Sequence, residues 1–556
     1  MNRVRQVFAP GSLTGLLLVA IAIAVILRVL NLSSREFWYD EILSILYATG
    51  HAQAFQSPDG TPVPLGQYRD LVEFSGKGAL HTLEWLIKGV AAKDPHPPLS
   101  YLGLSGWLQV FGNSDAAARG FIATISLGTI ASGYGLGRRL LGSRGGLLLA
   151  ALLSANPFFL YHSLNLRMYG LLLLWTVLSA WAVLVLAKFP PEAEAPKGWR
   201  QWGWTLVLIG AIAAGLLTQY LFFYWVIALV VLVLYLDWRY WWQHTLRFAV
   251  AGILVVPWTV WGARQQLNNR GGDIGSQVSG GEVSGLGVAL KHLENLTKTL
   301  GAHLWLGSWV TSLPLAAIVI AGAIALALLV LCTVTLWRQG NRRLLGVVLI
   351  LGLFPLALSL TIDILTGGSI TGFGGGRSLI FILPGCLLLI AFRLERFGDR
   401  WRNWTAAGLL LVYLSIGISD FALRNRRMFS TVAAEMGQDS PAPTLVLFNA
   451  KAWGHVLRVA RYLPTEGTTL LGDKSATLAE SLESAFAEDN SADYPRLVWL
   501  DMAAPVWSDP TSDEVRSQIQ TILEANQYAL AKELTLSGTM KFDDLTASFY
   551  ARRPLQ

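Results

Sequence analysis

Charge is what this chain has least of. Only 14% of its 556 residues are Asp, Glu, Lys or Arg, against 53% hydrophobic, whereas a soluble chain carries about a quarter charged residues. That balance excludes an ordinary soluble globular protein. Cysteine is almost missing: Cys332 and Cys386 are the only two, and both lie inside apolar runs, so they read as buried thiols and say nothing about redox compartment. A cleavage site is missing as well. Arg3 and Arg5 precede an apolar stretch in the manner of a signal peptide, but no small-residue site closes it and it runs on into Arg28. The stretch therefore reads as an uncleaved first helix. The net charge of +7 does not point to nucleic acid, because the basic residues sit in short loops between apolar runs. No internal repeat of the kind that builds a transporter's inverted halves is visible.

What the chain has in abundance is apolar runs long enough to cross a bilayer, which takes roughly 17–25 residues as a helix. Candidate spans are 11–30, 117–137, 145–162, 168–187, 204–218, 220–236, 247–262, 311–336, 344–365, 378–394 and 404–421, about eleven in all. Trp202, Trp204, Trp238, Tyr240, Trp241, Trp242, Trp258, Trp261, Trp337, Trp401 and Trp404 stand at the ends of these runs, as an aromatic belt requires. A twelfth run, Pro97 to Phe111, is short. If it lies in the outer interface instead of crossing, the basic groups at 138–144, 197–200, 239–247, 338–343 and 393–402 share the side of Arg3 and Arg5, satisfying the positive-inside rule. The loop 31–116, the turn Ser163–Tyr169, the segments 263–310 and 366–377, and everything from about 422 then lie outside.

The composition changes after about 422. Leu445–Phe448, Leu497–Leu500 and Thr546–Tyr550 read as strands, and 451–463 and 511–527 have helical periodicity. The expected organisation is a polytopic α-helical membrane domain over 1–421, with interfacial helices in its 31–116 loop, followed by a small extracytoplasmic α/β domain over 422–556. The latter carries no Gly-rich phosphate loop, metal-ligand cluster or nucleophile motif.

Residues suited to chemistry gather on the outer face. Asp40 and Glu41 follow the first span, where acids are costly without a purpose; they could cap the next helix, act as a base towards a hydroxyl, or hold a metal or a sugar hydroxyl. His96, in Asp94-Pro95-His96-Pro97-Pro98, could bind phosphate or shuttle a proton. Arg167, in Asn165-Leu166-Arg167-Met168-Tyr169, is an outer arginine that either snorkels to headgroups or binds an anion. Arg377 follows Gly372-Phe373-Gly374-Gly375-Gly376, either as a phosphate clamp or as a snorkelling residue after a flexible loop. The glycine-rich 271–287 segment has the composition of a lid. Asp363 is the clearest acid within a span, near its outer end. Acids and arginines concentrated on one face favour an enzyme over a lipid-linked sugar transporter or flippase; a glycan ligase is a further alternative.

In order and spacing these residues resemble the GT-C superfamily of membrane glycosyltransferases, in particular the bacterial branch related to protein O-mannosyltransferases and aminoarabinose lipid A transferases. The resemblance rests on Trp38-Tyr39-Asp40-Glu41, His96-Pro97-Pro98-Leu99, Phe111-Gly112, Arg119, Gly137-Arg138, Asn156-Pro157, Arg167-Met168-Tyr169, Arg377 and Pro384, and covers 1–421. It implies inverting transfer of a sugar from a polyprenyl-phosphate donor to a lipid, glycan or protein acceptor, by a multi-pass protein of the cell (inner or plasma) membrane with its active site and C-terminal domain extracytoplasmic. It also implies roles: Asp40 as catalytic base with Glu41 supporting it, His96 near the donor phosphate, Arg167 and Tyr169 lining the sugar or acceptor side, and Arg377 meeting the carrier phosphate. Gln219 stands where relatives frequently have His, so that role does not carry over. No cofactor is implied with certainty; the acids leave a divalent metal open.

Overall fold

Apolar runs separated by basic turns fold into long helices, and the polar tail folds around a sheet. The computed structural model describes residues 13–74, 78–192, 196–269, 286–423, 427–437, 442–488, 494–538 and 543–553. Its main helices are α1 (Leu13–Leu30), α2 (Tyr39–Ala48), α3 (Gly66–Asp70), α4 (Ala79–Lys93), α5 (Leu99–Phe111), α6 (Asp115–Ala155), α7 (Pro157–His162), α8 (Tyr169–Leu186), α9 (Trp199–Thr218), α10 (Phe222–Asp237), α11 (Trp241–Trp258) and α12 (Leu286–Gly301). They continue as α13 (Leu315–Arg338), α14 (Arg342–Thr366), α15 (Leu383–Glu395), α16 (Asp399–Leu423), α17 (Met428–Met436), α18 (Trp453–Tyr462), α19 (Leu478–Glu488) and α20 (Asp513–Ala525). The strands are β1 (Val63–Pro64), β2 (Thr444–Phe448), β3 (Thr468–Gly472), β4 (Arg496–Met502), β5 (Tyr528–Leu536) and β6 (Leu545–Arg552).

The chain divides into two compact units. One comprises Met1–Leu32, Val90–Gly103 and Ala116–Ala422; the other comprises Ser33–Gly89, Leu104–Asp115 and Leu423–Gln556. The sequence suggests one boundary, between 421 and 422, whereas the units change at several places, Ala422/Leu423 among them. The loop segments 33–89 and 104–115, however, group with the C-terminal residues and not with the helices. The reason is visible in their bonding: β1 pairs with β3, and the Arg69 guanidinium donates to the carbonyls of Ala460, Arg461 and Leu463 at 2.9, 2.7 and 3.1 Å.

The first unit is helical. Among the described residues, eight helical stretches are long and apolar enough to cross a membrane. One of them, Phe222–Asn269, contains the two predicted spans 220–236 and 247–262, joined by a single turn at Trp238–Tyr240. The predicted spans 117–137 and 145–162 fall in α6 and α7. α6 is broken at Gly142, where φ is +80°, and its two halves fold back on each other: a Cβ on Gly146 would meet the Tyr134 carbonyl oxygen at 2.8 Å. Glycine is what lets these backbones approach, as in small-residue membrane interfaces. Arg28 at the end of α1 is 1% exposed, its guanidinium donating to the Ala24 and Ser154 carbonyls at 2.9 and 2.8 Å and to Ser126 Oγ at 3.2 Å. α5 has 13 residues, about 20 Å of helix, short of a hydrocarbon core of about 30 Å.

The second unit is built on a six-stranded mixed sheet in the order β1-β3-β2-β4-β6-β5. β2 runs parallel to β3 and β4, while β6 runs antiparallel to β4 and β5. Leu445, Leu447, Leu497 and Trp499 face Leu478, Leu482, Ile519 and Leu523 of α19 and α20. Every residue of β2 is buried, which is why its sequence is a continuous apolar run and not an alternating one. The sequence reading does not mark β1, β3, β5, α17 or α19, whose segments are short or strongly polar.

Candidate functional site

In the second unit, the segment bearing Asp40 and Glu41 is held by the C-terminal region. Glu36, 5% exposed, accepts the backbone N–H groups of Phe429 and Ser430 at 3.2 and 2.5 Å. Burial pushes its carboxyl above the ordinary value despite these bonds. The Phe37 N–H donates to the Tyr462 hydroxyl at 2.6 Å, which donates to Asp115 at 2.6 Å. The Tyr39 ring meets the His455 ring edge-on at 5.1 Å. Burial, then the nearby Arg458 charge, push His455 down to about 3, so Tyr39 packs on a neutral imidazole. A Cβ on Gly454 would strike the Tyr39 ring at 2.6 Å, so α18 must carry glycine there for α2 to seat.

The two acids differ in their surroundings. Glu41 is fully buried. Its Oε2 accepts the Trp38 N–H at 3.2 Å and its Oε1 lies 3.7 Å from Arg35, so it closes the first turn of α2 and neutralises a buried guanidinium. Asp40 is half-buried, and its backbone carbonyl accepts the Ser44 hydroxyl at 3.1 Å.

The first unit gathers the four predicted binding residues about one turn, 163–169. The Arg167 guanidinium donates to the Tyr101 hydroxyl at 3.3 Å and stands 3.5 Å from His96 Nδ1. His96 is fixed by Asp94, whose Oδ1 accepts the His96 backbone N–H at 2.7 Å and lies 2.9 Å from Nδ1. Nδ1 therefore serves as donor to the carboxylate, and Arg167 is a neighbouring cation. Burial opposes ionisation of Asp94, but the charge and hydrogen bonds of His96 and then Arg167 outweigh it and hold the carboxyl below its usual value. Two residues on, the buried Tyr169 ring lies 5.6 Å from the Arg377 guanidinium and 4.9 Å from the His162 ring. One short turn thus links a cation–π pair to an Asp–His–Arg cluster.

Arg377 is aimed by an ordered loop. Asp363, fully buried, accepts the N–H groups of Ile370 and Thr371 at 2.9 and 2.7 Å, and the Thr371 carbonyl accepts the Thr299 hydroxyl. Gly376 has φ +82°, and a Cβ there would sit 2.7 Å from Thr299 Oγ1 and 2.8 Å from its Cα. Asp363 is therefore a loop-organising acid. The predicted lid falls almost wholly on 270–285, outside the described residues.

Three contributors carry no signal of their own in the sequence. Asp94 stands out only as part of a motif, and Tyr101 only as one residue of a short apolar run. Gln266 donates to the carbonyls of Val90 and His96 at 3.1 and 2.9 Å and accepts from the Tyr220 hydroxyl at 2.5 Å, which accepts from Trp258 Nε1 at 2.9 Å. It anchors the His96 loop to the helices, and nothing local in sequence marks a glutamine for that task. Among the described residues no group of three or more His, Cys, Asp or Glu is placed to hold a metal ion.

Residues 95–261 match the model of the dolichyl-phosphate-mannose-protein mannosyltransferase family, a stretch that includes His96, Tyr101, Arg167 and Tyr169. No curated protein matches the sequence. ArnT from Cupriavidus metallidurans bound to undecaprenyl phosphate is similar in structure, with a TM-score of 0.56 and 14% identity over 96% of this chain and 98% of that one. The same enzyme in the apo state gives a TM-score of 0.52 and 12% identity over 98% and 99%. At such identity the likeness is one of fold, and it spans both units. The family match thus lies across His96 and Arg167, within residues 95–261, and the likeness to ArnT is one of polytopic helical membrane fold.

Proposed function

We propose that the protein transfers a sugar from a polyprenyl-phosphate carrier to an acceptor hydroxyl at the extracytoplasmic face of the cell membrane, with inversion at the anomeric carbon. The observation that carries this reading is the gathering of Arg167, His96 and Arg377 about the 163–169 turn. The matching family's description names a dolichyl-phosphate sugar, and the similar ArnT binds undecaprenyl phosphate. Positive-inside topology supports the outer orientation.

In this reading the acceptor oxygen forms a bond to the anomeric carbon as the bond from that carbon to the carrier phosphate breaks. The electron pair leaves on the phosphate, whose charge fixed cations stabilise without a general acid. Arg377, braced on Tyr169, meets the phosphate. Arg167 and His96 face the donor's sugar and phosphate, with Asp94 setting the imidazole's orientation. Asp40 takes the acceptor's proton, and Glu41 keeps the turn that presents it. The acceptor is a lipid, glycan or protein hydroxyl.

The test is transfer from a labelled polyprenyl-phosphate sugar by the protein in lipid nanodiscs, together with mass spectrometry of surface glycolipids and glycoproteins from cells with and without it. One acceptor should lose a single sugar increment. Unchanged glycans and no turnover of any polyprenyl-phosphate sugar would remove the reading.

A further inference from the structure

The second unit holds a cavity of about 440 Å³ where α2 ends and α4 begins, lined by Thr49, Gly50, His51, Gln53, Ala54, His81, Thr82 and Trp85. Its size falls in the roughly 300–1,000 Å³ range of small-molecule sites. Its walls are fixed. The His51 ring donates through Nδ1 to the Leu71 carbonyl at 3.1 Å, and that carbonyl also accepts the Thr49 hydroxyl at 2.8 Å. Gly50, at φ +80°, brings the end of α2 so close to α4 that a Cβ would sit 3.0 Å from the Thr82 carbonyl oxygen.

The lining has an unusual balance. It contains imidazole, amide and hydroxyl groups and an indole, but no carboxylate, ammonium or guanidinium. A phosphate or metal ion would find no opposite charge there, and a hydrocarbon chain would strand the polar groups. A neutral ligand with many hydroxyls and a flat C–H face suits both parts: hydroxyls to the imidazoles and Gln53, the C–H face to the indole. Trp85, 37% exposed, is braced by the His81 ring at 5.9 Å and by Lys88 over its ring at 5.5 Å. Lys88 is itself paired to Glu84 at 2.5 Å. On α4 the cavity residues His81, Thr82 and Trp85 lie opposite Leu80 and Leu83, which are 83% and 41% exposed. The helix thus turns an apolar face outward and its polar face to the cavity.

We infer that this cavity binds a pyranose ring of a glycan acceptor, at a subsite remote from the attacked hydroxyl. Resting on the proposed transfer reaction, this commits the acceptor to carry sugar. The cavity lies at the opposite end of α2 from Asp40, about 14 Å along a helix at 1.5 Å per residue. That leaves room for the intervening sugar units of an extended chain. The cavity reads the ring, whatever anchors the rest of the acceptor.

The test is direct binding, measured by saturation-transfer NMR on the full-length protein in nanodiscs. The probes are four soluble disaccharides: maltose, mannobiose, lactose and chitobiose. At least one should bind. Trp85→Ala should weaken it about tenfold, the scale of one aromatic contact with its buried area, whereas Trp85→Phe should retain most of it. Gln53→Ala and His81→Ala report independently should Trp85→Ala fail to fold. No binding by any of the four, or binding indifferent to all three alanine changes, overturns the inference. The assay needs neither donor nor turnover, so its failure leaves the transfer reaction standing, and sugar binding without any donor turnover would count against that reaction alone.

Discussion

Replacing Asp94 by Asn separates charge from shape in the cation cluster. The Asp94 side chain is 6% exposed, and its Oδ1 serves both the backbone N–H and the Nδ1 of His96, at 2.7 and 2.9 Å. Hydrogen bonds to an ionised group contribute about 1.5–3 kcal/mol, against about 1 kcal/mol for neutral pairs. Asn keeps an oxygen in place but loses the charge, so the two bonds together weaken by about 1–3 kcal/mol. If that difference reaches the transition state, kcat/KM for the donor falls roughly 5- to 150-fold. Asp94→Ala should do worse, because it leaves a buried N–H without its acceptor. The pH dependence has a fixed sign. The folded carboxyl lies below its ordinary value, so its contribution to stability is present above about pH 3.9 and is lost as pH falls through the folded value. Wild type should therefore lose more thermal stability than Asp94→Asn on acidification below that point. The assay pairs donor-transfer kinetics in nanodiscs with thermal unfolding across that acid range. Wild-type kcat/KM in the Asn variant, with the same acid-side loss of Tm, would refute the argument.

Further expectations concern the other residues. Asp40→Asn should abolish transfer while the thermal midpoint and membrane insertion stay at wild-type values; retained turnover with a verified donor removes the base. Glu41→Gln should act differently, costing about 1–3 kcal/mol of stability because the buried Arg35 loses its counter-charge, seen as a lowered unfolding midpoint. Arg377→Ala should raise the apparent donor Kd at least tenfold and Arg377→Lys should not restore it, since ammonium replaces a planar, ring-stacked cation; an unchanged Kd rejects the clamp. Gly376→Ala should cost about 1–3 kcal/mol and weaken donor binding in parallel, because a Cβ there collides with Thr299; an unchanged midpoint would show the loop is not held as described.

The helical membrane architecture was legible in the sequence because lipid leaves little choice: an apolar run of sufficient length must satisfy its own backbone hydrogen bonds, and does so as a helix. The same holds for the strands at 445–448 and 497–500, which are buried on both faces and so are apolar throughout. Where the surroundings are partly polar, legibility fell. β5 follows a pattern of mostly exposed residues, and α19 carries a polar outer face.

At the site the division is sharper. Residue type and position mark Asp40, Glu41, His96, Arg167 and Arg377, because titratable and charged groups beside apolar runs are costly and stand out; Tyr169 comes only with the family resemblance. Composition and spacing do not separate Asp40 from Glu41; the resemblance alone names Asp40 as the base. Only the fold buries Glu41 under Trp38 and Arg35 and leaves Asp40 half-open. Nor could the sequence find Gln266, a common polar residue whose importance comes from two carbonyls 170 and 176 positions away. It likewise could not tell that residues 33–89 pack with 423–556, since Arg69 meets its carbonyl partners only after the chain has closed a loop of some 390 residues. The cost of charge in an apolar setting is local and is written in composition; hydrogen-bond partnership between distant segments exists only once the tertiary structure brings them together.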